Sequence, residues 1–156
     1  MGMNNISVIQ IEPDDALLAC TTLDVIDHVD AHLLRTEVDQ SPEQWTREIL
    51  TNVTAMRQLS LRAGWTLLGI KLHHADRTAI AGWPVTHNDI EYLRLHTDSF
   101  TGLTGELVTR VTNRGVVFAT FVRLDGRVAQ FLWDRAVSAH MLIVPTLLAE
   151  AGERVG

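Results

Sequence analysis

His140 is the side chain best suited to proton chemistry. Ser138 precedes the segment 139–154, and Met141, Val144, Leu148 and Ala151 form an apolar stripe along it. Leu142 and Leu147 are neighbouring alternatives. A capping serine before such a stripe predicts a helix with His140 in its first turn. The positive end of the helix dipole disfavours a charged imidazole there, and a neutral ring can act as a base or as a hydrogen-bond donor. The plainer role is a histidine packed at a sheet-helix junction with one ring nitrogen bonded.

Other polar clusters are weaker. His73 and His74 followed by Asp76 are metal-ligand types, but adjacent side chains diverge on a helix or strand, so only a loop could bring them to one ion. His28 and His32, with Asp24 and Asp30, could line one strand edge, without a further ligand at fixed spacing. No metal site and no cofactor is expected. Cys20 is the single cysteine and reads as a quiet, partly buried thiol unless a base lies beside it in space. Asp134 and Arg135 could orient His140 or a substrate, although a surface ion pair is the plainer explanation. No GxSxG, P-loop, GxGxxG or HExxH pattern occurs, so those chemistries have no support here.

The elements that must position these residues change period along the chain. Residues 1–19 read as an extended arm with a turn at Pro13, Asp14 and Asp15, and alternation over 29–33 predicts a strand. Ser41, Pro42, Glu43 and Gln44 combine a capping serine, a first-position proline and a capping-box glutamine, so a helix begins there. Trp45, Ile49, Val53 and Met56 form its core stripe, with Gly64 as a plausible left-handed cap. Strands are expected at 80–85, 89–97, 106–112, 116–124 and 127–134, with Pro84 holding the first to an edge or bulge. Asp125-Gly126 reads as a two-residue type I′ hairpin loop, and a second loop is expected at Arg114-Gly115.

This register places Thr109 opposite Thr120 on an apolar face that also carries Leu107, Val111, Phe118, Val122, Ala129, Phe131 and Trp133. The two threonines would bond to each other or orient a ligand, with Phe118, Phe131 and Trp133 as apolar walls or simply as core. The opposite face carries Glu106, Arg110, Arg123, Gln130 and Asp134 among apolar residues and reads as partly wet. A helix over 139–154 must cover the first face. Pro145 inside it predicts a kink, or a start one turn earlier.

Composition bounds the reading. The 156 residues, 46% of them apolar, suffice for one domain with a true core, so 1–156 is taken as a single unit. Nineteen acidic against 13 basic residues give a net charge of −6, which argues against general nucleic-acid binding. One cysteine, no apolar run long enough to span a membrane and no basic-then-apolar leader make a cytoplasmic location the expectation.

Four segments carry a family resemblance: Asp-His-Val-Asp-Ala-His (27–32), Ser-Pro-Glu-Gln-Trp (41–45), Gly-Trp-Pro-Val (82–85), and 133–148 from Trp133 to Leu148. With the order strand, helix, antiparallel strands and terminal helix, the chain resembles the SRPBCC superfamily of START-like and polyketide cyclase-like proteins, a bacterial branch, over about residues 24–152. The strands counted are fewer or shorter than in a full helix-grip. The resemblance implies an α+β fold in which an antiparallel sheet grips a long C-terminal helix, with a helical segment near 42–70 and a cavity between sheet and helix. It also implies binding of a small hydrophobic molecule, with Trp83, Thr109, Phe118, Thr120, Phe131 and Trp133 as candidate contacts. The catalytic form would be cofactor-free cyclisation, dehydration or hydration with His140 as the acid-base group. The alternative is a non-catalytic carrier or a self-associating interaction domain, such as a homodimer formed through the mixed sheet face or the 80–85 edge.

Overall fold

Strand β2 (His28–Arg35) carries the alternation expected at 29–33, and it divides the protein into two cores. Its even-numbered residues face one side of the sheet and its odd-numbered residues the other. The computed structural model describes residues 7–156, so the first six residues of the expected arm lie outside the described part. The sheet has six antiparallel strands in the order β1-β2-β6-β5-β4-β3, with β1 (Ser7–Ile11), β3 (Val85–Asn88), β4 (Tyr92–Asp98), β5 (Leu103–Thr112) and β6 (Gly115–Leu124). Helices α2 (Pro42–Leu50) and α3 (Ala55–Leu67) leave β2 and deliver the chain to the far edge. The strands then walk back to β2, and α4 (Arg127–Val155) crosses the covered face. The fold is α+β with the sheet gripping a long C-terminal helix, as expected.

Ser41 builds the capping box its sequence announced: its hydroxyl accepts from Gln44 N and the Gln44 side chain accepts from Ser41 N. The helix it opens is shorter than expected. It stops at Leu50, and Thr54 caps a separate α3 that contains Gly64 in its interior. Trp45 and Ile49 are buried, but the break rotates Met56 outward, where it is 74% exposed.

The larger correction concerns residues 127–134, which are the first turns of α4 and not a strand. Gly126 has φ +100° and ends β6 by turning the chain directly into the helix. The stripe Ala129, Trp133, Ala136, His140, Val144, Leu147 and Ala151 runs at helical spacing across the whole segment. Pro145 sits within this helix without ending it. A two-residue turn with positive φ at both positions occurs elsewhere, at Ala81 (φ +53°) and Gly82 (φ +86°). There Ile80 and Trp83 exchange both backbone hydrogen bonds at 2.9 Å, so the expected 80–85 strand is a tight turn followed by β3.

The loop between β5 and β6 is Asn113-Arg114, which shifts the expected pairing by two residues. Thr109 opposes Phe118, and Thr120 opposes Leu107. A shift of two keeps every side chain on its expected face while changing its partner.

The second face is drier than its composition suggested. The N-terminal segment folds over it: Leu17 of α1 (Asp15–Leu18) and Cys20 pack with Ala31, Leu33, Val108, Val117 and Phe121. Glu106 anchors this cover from a fully buried position. Its carboxylate accepts from Thr21 Oγ1 at 2.6 Å, Thr22 N at 2.8 Å, the Thr22 hydroxyl and His96 Nδ1 at 2.8 Å. Burial pushes this carboxyl up, but the bonds from His96, Thr21 and Thr22 outweigh it and hold it at about 2.

A carboxyl lowered from 4.5 to about 2 stabilises the fold fully above pH 4.5 and loses that contribution as pH falls toward 2. The shift corresponds to about 3 kcal/mol. Glu106→Gln is expected to lose about this much stability at neutral pH and to flatten the acid limb of the stability curve, measured by urea unfolding at stepped pH. Parallel acid limbs for the two proteins would rule out Glu106 as the anchor.

Candidate functional site

The gripping helix does not close on the sheet along its whole length. A cavity of about 530 Å³ opens between β5 and β6 on one side and α3 and α4 on the other. Leu107, Phe118, Thr120 and Val122 form its sheet wall; Trp133, Ala136, His140 and Val144 line it from α4; Leu61, Gly64 and Trp65 line it from α3. The Ala81-Gly82 turn presses Trp83 into the remaining side, with its ring 5.8 Å from Trp65 in an edge arrangement. The Cβ of any residue larger than glycine at 105 would stand 3.1 Å from the Trp83 ring, so Gly105 makes room for that side chain.

Of the residues expected to meet a ligand, Trp83, Phe118, Thr120, Trp133 and His140 line this one cavity. Thr109 does not. It is buried beneath α2, where the Thr46 hydroxyl donates to Pro42 O at 2.7 Å and accepts from Thr109 Oγ1 at 2.7 Å. Phe131 does not either, because residues 127–134 are helical: its ring is 56% exposed, with the Arg135 guanidinium 4.7 Å above it. Asp134 accepts from Gln130 Nε2 at 2.8 Å on the outer surface of the same helix.

His140 lies well inside α4 and not in its first turn, so the helix dipole does not set its state. What orients it is Asp30. His140 Nε2 donates to Asp30 Oδ2 at 2.7 Å, and His28 Nε2 donates to the same oxygen at 2.7 Å. The Asp30 side chain is 1% exposed. Burial opposes its charge, but the bonds from His140 and His28 prevail and hold the carboxyl far below the usual carboxylate range. His32 Nδ1 stands 3.5 Å from Asp30 Oδ1, and neither atom has a hydrogen-bond partner. The Trp133 ring packs on both outer imidazoles, 4.9 Å from His28 and 5.4 Å from His140 between centroids.

The sequence signal for this cluster is His-x-Asp-x-His at period two, which aims three side chains at one face of β2. The missing member, His140, arrives from α4, far along the chain from His32. Asp24 stays outside, paired with Arg123 at 3.1 Å. His73, His74 and Asp76 sit exposed on a loop, where Asp76 caps Thr78. Cys20 is buried, and that burial pushes its thiol up, away from nucleophilic use. Nothing in the sequence marked Leu61, Gly64 and Trp65 as cavity wall, since α3 has no motif of its own.

Two further polar atoms on cavity-lining side chains, Thr120 Oγ1 and Trp83 Nε1, are buried without a hydrogen-bond partner. No helix among the described residues is long and apolar enough to cross a membrane. Comparison with models of protein families, with curated proteins and with solved structures finds no significant match to this chain.

The Thr46-Thr109 pair predicts a specific pattern of energies. Thr46→Val strands a buried hydroxyl and is expected to cost about 1–3 kcal/mol in chemical unfolding, whereas Thr46→Val with Thr109→Val recovers most of it. Neither protein should change in its affinity for a cavity ligand; a lost affinity in the double variant would return Thr109 to the site.

Proposed function

We propose that this protein binds a small, mainly apolar molecule bearing one hydrogen-bond-accepting group, held between the sheet, α3 and α4. The observation that carries this reading is a mainly apolar cavity two of whose lining side chains, Thr120 and Trp83, each bury a polar atom, Oγ1 and Nε1, without a hydrogen-bond partner. A buried donor left without a partner costs about 1–3 kcal/mol, and a ligand oxygen removes that cost. The volume, about 530 Å³, falls within the range of small-molecule sites. The resemblance to START-like and polyketide cyclase-like proteins supports the same reading.

His140 is the group that would act in a conversion of this ligand. Asp30 engages Nε2, which leaves Nδ1 to meet a bound molecule. An imidazole oriented by a buried carboxylate suits the cofactor-free cyclisation, dehydration or hydration expected from the sequence. A self-associating role has its own support: Met56, Leu59 and Leu67 of α3 and Leu142 of α4 are exposed apolar side chains. Size-exclusion mass separates the two, because association through these residues gives a dimer whatever the ligand.

A cavity protein gains thermal stability with its ligand, by about 2.7 kcal/mol at a hundredfold excess over Kd. A panel of apolar ketones and phenols is expected to raise Tm and to quench the fluorescence of the wall tryptophans. Gly64 offers a selective block, since a Cβ built there meets nothing within 4 Å. Gly64→Phe should remain folded and abolish the ligand response, while Gly64→Ala should keep the response and gain up to about 1 kcal/mol of helix stability. A response unaffected by Gly64→Phe would place binding elsewhere.

A further inference from the structure

The hydrogen bonds around Asp30 are unevenly shared between its two oxygens. Both imidazole donors converge on Oδ2, at 2.7 Å each, while Oδ1 of the same buried carboxylate has no partner. His32 Nδ1 faces that orphan oxygen at 3.5 Å and is itself unpartnered, although the side chains are only 4% and 1% exposed.

We propose that His28, Asp30 and His140 form a binding site for a divalent first-row transition ion, with His28 Nε2, Asp30 Oδ2 and His140 Nε2 as its ligands. These three atoms lie within 4.8 Å of one another. Donors bound at about 2.0–2.1 Å around one ion stand roughly 2.9–3.4 Å apart, so the two 2.7 Å separations from Asp30 Oδ2 open by a few tenths of an ångström and the two imidazole nitrogens, now within 4.8 Å of each other, take the same spacing. His28 and His140 are 20% and 17% exposed, so an ion can reach both imidazoles. With Oδ2 committed to the ion, Oδ1 takes the His32 Nδ1–H, and both orphans are satisfied by a bond that orients the ligating carboxylate.

The donor set selects the class of ion. Two imidazole nitrogens with one carboxylate oxygen suit zinc, cobalt, nickel or ferrous iron, whereas calcium and magnesium call for all-oxygen sites with more ligands. Three protein ligands leave a further coordination position for water or a bound molecule. His140 and Trp133 line the cavity and Thr120 is the cross-strand partner of Asp30, so the ion would stand at the cavity wall. The site departs from the metal-free expectation drawn from the sequence, and it stands whether or not the cavity binds an apolar molecule.

The full chain, freed of metal with a chelator and titrated with Co²⁺, tests this directly. One equivalent should bind with visible d–d absorption, and Zn²⁺ should displace it. His28→Ala and His140→Ala should each weaken Co²⁺ binding by about 100-fold or more, with folding checked by circular dichroism. His73→Ala with His74→Ala, which removes the exposed loop histidines, should leave binding intact. Zinc-edge X-ray absorption of the unmodified protein gives a readout independent of the variants and should show two imidazole ligands. Absence of stoichiometric Co²⁺ binding, a spectrum without imidazole, or binding lost with the loop histidines and kept in His28→Ala overturns the proposal.

Discussion

A buried carboxylate on β2 ties the long helix to the sheet, and the arrangement of the cavity follows from it. Asp30 has almost no solvent contact, and its charge is tolerated only because histidines from two elements point at it. An uncompensated buried charge of this kind costs several kcal/mol. The helix therefore cannot slide along the sheet without breaking the His140 bond. That fixes which stretch of α4 stands over Thr120 and Phe118, and hence where the hollow lies.

The hollow itself is a consequence of unequal cover. The sheet face beneath α2 is filled by Trp45, Ile49 and the bonded threonines Thr46 and Thr109. Beneath α3 the glycine at 64 and the half-buried Trp65 leave space that the sheet side chains do not reach. On the opposite face, the N-terminal segment is pinned by Glu106 over Leu33, Val108, Val117 and Phe121, and the hollow left there, about 330 Å³ beside Leu17, Arg110 and Arg114, is smaller and more polar. Both buried carboxylates thus act as ties between elements distant in sequence. Glu106 fastens the N-terminal cover, and Asp30 holds the edge of the larger hollow.

Face membership was legible residue by residue. Leu107, Thr109, Val111, Phe118, Thr120 and Val122 share the side chosen from their alternation, because period two survives a register shift of two. Their partners were not legible, since pairing is set by which residues form the loop, and Asn113-Arg114 took that place instead of Arg114-Gly115. Asp125-Gly126 carried a hairpin signal that also suits a strand-to-helix turn, where one glycine at positive φ is enough. The helical spacing from Ala129 through Val144 was present in the text and outweighed that dipeptide in the folded chain.

What the amino-acid sequence determined alone was local: the Ser41 capping box, the two-faced strands and the His-x-Asp-x-His face of β2. Each is decided within a few residues by hydrogen-bond geometry and by the period of the backbone. The tertiary structure decided which of these local faces meet. It carried His140 to Asp30, sealed Thr109 under α2 and turned Phe131 to solvent. Such choices depend on how packed elements share buried volume and buried charge, and no window of sequence contains both sides of that contact.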